Sequence, residues 1–255
     1  MPTESAATKE LREKLQVKPP AELVEWINLL VYGEAGAGKT HLMGTAADDP
    51  RTSPVLAIDV EGGFTTIRHR SDIDTVAVRT MKELTNVFNE LANSANAKSM
   101  PYKTVAIDSI TELADLDMRN IMQDAFRANP DRVDVDVPSP REWGKTRNHM
   151  RSIIRAFRDL PCHVIYTAGL GTTSEEGMAT KYHPGFGGKL KQEIPGFMDI
   201  VGYLKSEVDA VAGEKHRVIQ FLGSGRVVAK DRTNALGDML TDTTIPLMWD
   251  LINGS

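Results

Sequence analysis

Cysteine is almost absent from this chain: Cys162 stands alone among 255 residues, and a lone thiol excludes an internal disulfide framework. Its apolar setting, just before HVIYTA, marks it as a buried core thiol rather than a reactive one and points to a reducing interior. Long hydrophobic runs are lacking as well. No stretch approaches the roughly 18 apolar residues of a membrane-spanning helix, and the opening MPTESAATKELREKL carries no signal-peptide core. The expectation is a soluble cytoplasmic protein, in the host cytoplasm if the chain is viral, with no membrane partner. Positive charge is in deficit too. At a net charge of −5 the surface as a whole does not attract polyanions, so any nucleic-acid contact has to come from a local basic patch. Repeats, low-complexity segments and a mid-chain linker are missing. That pattern favours one large domain over residues 21–255 behind a polar tail, residues 1–20, which ends in Pro19-Pro20. With 41% hydrophobic and 25% charged residues, the chain has enough apolar material to bury a sizeable core.

What the chain does have is a glycine-rich loop between an apolar run and an amphipathic one, in Leu29 to Met43, LLVYGEAGAGKTHLM. Gly33, Gly38, Lys39 and Thr40 complete G-x-x-x-x-G-K-[ST], with Gly36 as a further glycine inside the loop. Phosphate binding needs these types at this spacing because consecutive backbone N–H groups must converge on one anion. The residues of the cradle are Gly33, Glu34, Ala35, Gly36, Ala37, Gly38, Lys39, Thr40 and His41. Lys39 adds a point charge at the β and γ phosphates, Thr40 offers a hydroxyl to Mg²⁺, and a helix starting there turns its positive end toward the phosphates. The cofactors this implies are ATP and Mg²⁺.

Strands and helices alternate on either side. Strands are expected at Ile27 to Tyr32, Pro54 to Val60, Asp72 to Val78, Lys103 to Asp108 and Cys162 to Ala168, most of them near-continuous apolar runs that suit a sheet buried on both faces. Helices are expected from Pro20 to Trp26, after the loop, and over Met81 to about Asn93, Ile110 to Ala128, Arg141 to Leu160 and Ile245 to Ile252. On the helix from Arg141 to Leu160, Trp143, Met150, Ile154 and Phe157 are expected to be buried. Pro130 to Pro140 is expected as a loop rich in Asp and Pro. Short strands near Asp199 to Lys205, His216 to Leu222 and Arg226 to Ala229 are placed to pair antiparallel at one edge. The fold class is therefore α/β: a three-layer P-loop NTPase with a mostly parallel sheet and antiparallel strands at the C-terminal edge.

Two carboxylates stand where chemistry needs them. Asp108 ends the strand KTVAID and is the expected Mg²⁺ partner of Thr40. Ser109 follows it with no adjacent glutamate, so a water-activating base has to lie elsewhere. Glu61 is the candidate: it leaves the strand VLAIDV ahead of two glycines, at the carboxyl edge where open α/β sheets bind ligands. Its other reading is a turn cap or a water-mediated metal contact. Asp59, two residues earlier, would support it or the metal.

GEAGAGKT, LAIDVEGG, TVAIDSITEL and VIYTAG, in that order, resemble the RecA-like ATPase core, and more narrowly the phage P-loop nucleotide-binding proteins related to RecA and Rad51. The resemblance covers about residues 25–235 and implies ATP hydrolysis with Glu61 as base, Asp108 as metal partner and Thr167 as γ-phosphate sensor, although RecA has a glutamine near that last position. It also implies two cations, Lys230 and Arg232, that reach the ATP of a neighbouring copy; two solvated charges after an edge strand is the alternative. Members of that phage family are implicated in single-strand annealing. The partners so implied are single-stranded DNA, further copies in an oligomer or filament, and a single-strand-binding protein.

For DNA, the glycine-rich stretch Gly169 to Gly196 offers Lys181, Tyr182, His183, Phe186, Lys189 and Lys191, a mixture suited to stacking bases and neutralising phosphates. A nucleotide lid or a subunit contact is the alternative. Arg147, Arg151 and Arg155 make a basic stripe at helical spacing, and such a stripe is usually a solvated face, with a DNA contact as the other reading. Three function classes remain open on the residues: a DNA-dependent ATPase of recombination or annealing, a nucleotide or small-molecule kinase, and an ATP-gated module that recruits a replication partner through the tail. The absence of an N-K-x-D motif and of an ABC signature argues against a GTPase and an ABC ATPase.

Overall fold

The computed structural model describes residues 6–15, 17, 19, 26–129, 131, 137–174, 177, 179–208 and 213–254. The helix expected over Pro20 to Trp26 and most of the loop expected over Pro130 to Pro140 lie outside the described residues. The strands are β1 (Asn28–Tyr32), β2 (Val55–Asp59), β3 (Ile73–Ala77), β4 (Thr104–Asp108), β5 (His163–Ala168), β6 (Leu170–Thr173), β7 (Lys181–Pro184), β8 (Ile200–Val208), β9 (Lys215–Gln220), β10 (Lys230–Asp231) and β11 (Met239–Thr241). The helices are α1 (Ala6–Lys14), α2 (Lys39–Gly44), α3 (Met81–Asn96), α4 (Ile110–Ala128), α5 (Pro140–Arg158), α6 (Leu190–Phe197) and α7 (Ile245–Asn253). None of the described helices is long and apolar enough to cross a membrane.

One sheet runs in the order β11-β9-β8-β1-β5-β4-β2-β3, with β10 alongside β8. Every pair from β8 to β3 is parallel, whereas β9, β10 and β11 join antiparallel at the C-terminal edge. Because side chains alternate across a strand, the apolar runs feed two cores at once. Leu30, Tyr32, Ile58, Ile107 and Tyr166 enter the layer under α3, α4 and α5. Leu29, Val31, Ala57, Ala106 and Ile165 enter the layer under α2 and α7. The result is a three-layer α/β fold whose parallel strands all end on the edge that carries the phosphate loop.

The helices start where the sequence offers caps. Thr80 and Glu83 form a capping box at α3, and Ser139 with Glu142 does the same at α5, ahead of Pro140. The Ser109 hydroxyl accepts from the Glu112 N–H at α4. Along α5, Met150, Ile154 and Phe157 are buried as expected, but Trp143 is 47% exposed and lies against Gly187 rather than in the core. A further correction concerns Arg226 to Ala229. The strand at this edge is Lys230–Asp231 instead, because the preceding residues are taken up by β7: Tyr182 N–H donates to Arg226 O at 2.6 Å, and Val228 N–H donates to Tyr182 O at 3.0 Å.

At the far end of the sheet, His163 opens β5 and is buried between the rings of Trp26 and Trp249, whose centroids lie 5.1 and 4.8 Å away. Ile27 N–H donates to its Nδ1 at 3.1 Å. Burial holds its pKa down to about 4, against an ordinary 6.5. The native state thus binds fewer protons than the unfolded chain between those values, and stability falls as pH drops from about 6.5 to about 4. The expected loss from this one group is about 3 kcal/mol. Urea unfolding of wild type and His163→Gln across that range checks it: the wild type loses more stability than the variant on acidification, and parallel pH profiles would rule the effect out.

Candidate active site

The phosphate loop leaves β1 at Gly33. A side chain there has no room, since a Cβ would stand 2.0 Å from the carbonyl oxygen of Leu204 on β8. At Gly38 the backbone takes φ +101°, in the left-handed region that favours glycine. Lys39 begins α2 and reaches back over the loop, its Nζ donating to the carbonyls of Gly33 at 3.0 Å and Glu34 at 2.9 Å. Burial holds the Lys39 pKa below the ordinary lysine value, while Asp108 and then Glu61 favour the charged form. The ammonium is therefore desolvated, aimed into the loop and flanked by two carboxylates.

Asp108 closes β4, the second strand along the sheet from β1. It is 3% exposed, and both carboxylate oxygens are engaged. Oδ2 accepts from the Thr40 hydroxyl at 2.6 Å, and Oδ1 accepts from the Thr167 hydroxyl. Thr167, expected as a γ-phosphate sensor, is fully buried and spends its hydroxyl on Asp108, so the geometry makes it a positioning residue for that carboxylate. The carbonyl of Asp108 accepts from the N–H groups of Val60 at 2.9 Å and Glu61 at 3.3 Å. This ties the turn after β2 to the end of β4.

Asp59 shapes that turn. Its Oδ1 accepts from the Gly62 N–H at 2.6 Å and the Gly63 N–H at 3.3 Å, and its Oδ2 pairs with Arg79 at 3.1 Å. With Asp59 committed to the backbone, the exposed Glu61 carboxylate is the free acid of the turn. A cleft of about 300 Å³ is lined by Ala35, Gly36, Lys39, Thr40, Glu61 and Asp108 among others. Arg217 of β9, which no sequence motif points to, lines it as well.

Lys230 and Arg232 are elsewhere. β10 pairs with the start of β8, Lys230 opposite Val201, whereas the phosphate loop lies beyond the Tyr32–Tyr203 pair at the other end. Three residues of strand, roughly 10 Å, separate Val201 from the level of Gly33. Arg232 donates to Asp199 Oδ1 at 3.3 Å and Gly196 O at 3.2 Å. Burial and the neighbouring Arg232 hold the Lys230 pKa down to about 8. Neither cation is among the residues that line the cleft at the phosphate loop.

The glycine-rich stretch is a structured hairpin rather than an open loop. β6 and β7 pair antiparallel, and Tyr182 stacks on Tyr203 at 5.5 Å, which stacks on Tyr32 at 5.2 Å, next to the phosphate loop. Phe186 is 7% exposed, so the expectation that it stacks on bases is corrected: its ring fills the core between α5 and the sheet. Tyr182 likewise has its face covered by Tyr203. Lys191 Nζ donates to the Thr173 hydroxyl at 3.0 Å, the hydroxyl that also meets His183 Nε2 at 2.9 Å. Lys181 and Lys189 are exposed. The basic stripe of α5 is corrected too. Arg147 and Arg151 pair with Glu193 of α6, and Arg155 lies 4.5 Å over the Phe197 ring. The spacing of these arginines fits one helix to the next.

The donor set suits a hard, oxygen-seeking cation. Thr40 and Asp108 place a hydroxyl and a carboxylate together, and Mg²⁺ is commonly held by one or two such groups with water and phosphate oxygens completing the shell. The described residues hold no cluster of three or more His, Cys, Asp or Glu that would form a protein-only cage.

A G-x-x-x-x-G-K-T loop after the central parallel strand, with a buried Asp at the end of the second strand over, defines a P-loop ATPase. The chain belongs to the AAA_24 family of AAA domains, whose family model matches residues 26–233. Among solved structures it is similar to a KaiC-like protein from the hyperthermophilic archaeon Pyrococcus horikoshii OT3, at 14% identity over 76% of this chain and 78% of that one, with a TM-score of 0.43. It is also similar to the RadB recombinase, at 16% identity over 84% and 86% with a TM-score of 0.46. A third similarity is to the flagellar accessory protein FlaH from Methanocaldococcus jannaschii, at 9% identity over 80% and 79% with a TM-score of 0.41. No curated protein sequence matches the chain.

Proposed function

We propose that the protein binds and hydrolyses ATP with Mg²⁺, assembles with further copies of itself, and binds single-stranded DNA in recombination or strand annealing of the phage type. The observation that carries the hydrolytic part is the convergence of Lys39, Thr40, Asp108 and Glu61 on one cleft. ATP with Mg²⁺ would supply the labile γ-phosphoryl group and the metal charge that offsets its oxygens. Thr40 and Asp108 would hold the Mg²⁺, and the Thr167 hydroxyl keeps Asp108 in place. Lys39 turns from the loop carbonyls to the phosphates. Glu61 would orient a water and take its proton as the water's oxygen bonds to the γ-phosphorus and the bond from that phosphorus to the β,γ-bridging oxygen breaks, releasing ADP and phosphate.

Assembly rests on Lys230 and Arg232. Since they lie far from their own phosphate loop, the phosphates they could serve are a neighbour's, where a cation stabilises charge developing on the γ-phosphate. The unpaired edge of β3 at the other side of the sheet offers a further contact between copies. For DNA, Lys181 and Lys189 are the exposed cations of the hairpin region, and the Tyr182–Tyr203–Tyr32 stack joins that hairpin to the phosphate loop. The phage-type role draws on the motif resemblance alone.

ATP hydrolysis measured against protein concentration, with and without single-stranded DNA at fixed low salt, tests the proposal. The expected result is stimulation by DNA and a rate that rises more than linearly with protein. Arg232→Ala is expected to lower the assembled rate by about 10³-fold or more while ATP binding by the monomer stays intact. A rate linear in protein and indifferent to both DNA and Arg232 would sink the assembly reading. That outcome would favour the second reading, an ATP-gated interaction module, for which the burial of Phe186 and the covered face of Tyr182 already speak.

A further inference from the structure

The antiparallel edge delivers a guanidinium to the phosphate loop that the loop motif does not account for. β9 pairs with β8, setting Arg217 opposite Ser206, and β8 is the strand whose Leu204 carbonyl presses on Gly33. From there the Arg217 side chain crosses to Gly38. A Cβ on Gly38 would stand 2.5 Å from its Nε and 2.8 Å from its Cδ, so this glycine makes room for the arginine as well as for the turn. Arg217 lines the main cleft with Lys39 and Thr40, and a smaller adjoining cavity with His41, Leu42 and Thr244. It is the residue, with His41, that the two cavities share.

The backbone beneath it is clamped. Arg217 N–H donates to Asp242 Oδ1 at 2.8 Å, and Asp242 N–H donates back to Arg217 O at 2.7 Å. The other Asp242 oxygen meets His216 Nδ1 at 2.6 Å. Asp242 thus spends its carboxylate on the strand and on His216, and leaves the guanidinium to the loop. In a loop of this kind the backbone N–H groups cradle the α and β phosphates, while the lysine reaches β and γ. Arg217 touches the exit of the loop, at Gly38 and His41. Glu61 and Asp108 flank the lysine.

We propose that Arg217 is a nucleotide contact supplied by the same chain, its guanidinium bonding the α/β-phosphate side of a bound nucleoside di- or triphosphate. The contact rests on the ATP reading above. It differs from Lys230 and Arg232 in kind: Arg217 holds the part of the nucleotide common to ATP and ADP, within one copy, and fixes the β8–β9 edge against the loop when nucleotide is bound. A planar fork is suited to two phosphate oxygens at once, which an ammonium is not.

Calorimetric titration of ATP and of ADP into wild type, Arg217→Ala and Arg217→Lys tests it, each variant first checked by circular dichroism. Arg217→Ala is expected to weaken ATP and ADP by the same factor, roughly 10- to 100-fold, with Arg217→Lys between it and wild type. Wild-type affinity for both nucleotides in Arg217→Ala would overturn the contact while leaving the ATP reading intact. So would a variant that slows turnover with unchanged ADP affinity, since that marks a γ-phosphate cation. A wild type that binds neither nucleotide would overturn the ATP reading itself, and the contact with it. Should the alanine variant fail to fold, the lysine variant decides alone: equal, partial weakening of both nucleotides supports the contact, and no weakening removes it.

Discussion

Glu61→Gln is expected to lower the ATP turnover number by about 10²- to 10⁴-fold and to leave ATP affinity close to that of wild type. The substitution keeps the size of the side chain and its capacity to orient a water, and removes the negative charge and with it the ability to take the proton. Backbone bonds hold the turn independently of that side chain: Glu61 N–H donates to Asp108 O, and Asp59 accepts from Gly62 and Gly63. The fold and the cradle should therefore survive the change, which makes the separation of rate from binding informative. Single-turnover hydrolysis beside equilibrium ATP binding measures both. Turnover retained within about tenfold would place the base elsewhere, below what general-base catalysis contributes, and would return Glu61 to the role of a turn cap. Loss of ATP affinity in step with turnover would instead mean that Glu61 acts on the ground state, through the charge it shares with Lys39.

The parallel core was legible because its signals are local. Runs such as NLLVY, VLAID and TVAID alternate between two buried faces, and that demand appears directly as unbroken apolar sequence. Phosphate loops are legible for the same reason, since one contiguous stretch has to present its own backbone to one anion. The hairpin of β6 and β7 was not. Its glycines read as an open loop, yet Gly171 and Gly185 are packed, the first against His183 and the second against the Gly169 carbonyl. Glycine marks close approach as readily as freedom, and only the neighbour tells which. Arg147 and Arg151 were misread by the same route. A basic stripe at helical spacing says which face the arginines share, but their partner Glu193 lies on another helix more than forty residues on. Arg217 is the sharpest case. KHRVIQ reads as a short edge strand, but the place of Arg217 over Gly38 depends on β9 pairing with β8 and on β8 pairing with β1, two non-local facts that no window of sequence contains.

Lys39→Ala is expected to raise the dissociation constant for ATP by roughly 100-fold, about 3 kcal/mol, the upper range for hydrogen bonds made by a charged group. In the structure the Lys39 ammonium bridges the carbonyls of Gly33 and Glu34 across the loop. Phosphates would replace those neutral acceptors, so binding would exchange two bonds to neutral carbonyls for bonds to anionic oxygens in a partly buried place. Burial already presses Lys39 toward the neutral form, and Asp108 and Glu61 counter it. Bound phosphates would add to that counterweight and draw the lysine further into its charged state, which makes affinity sensitive to this residue. Lys39→Arg is not expected to restore binding, because a planar fork cannot take the place of a compact ammonium between two loop carbonyls. Titration of ATP into wild type and both variants measures the effect. Normal ATP affinity in Lys39→Ala would remove the phosphate loop from the centre of the mechanism, and with it the roles given to Thr40, Asp108 and Glu61 around the same cleft.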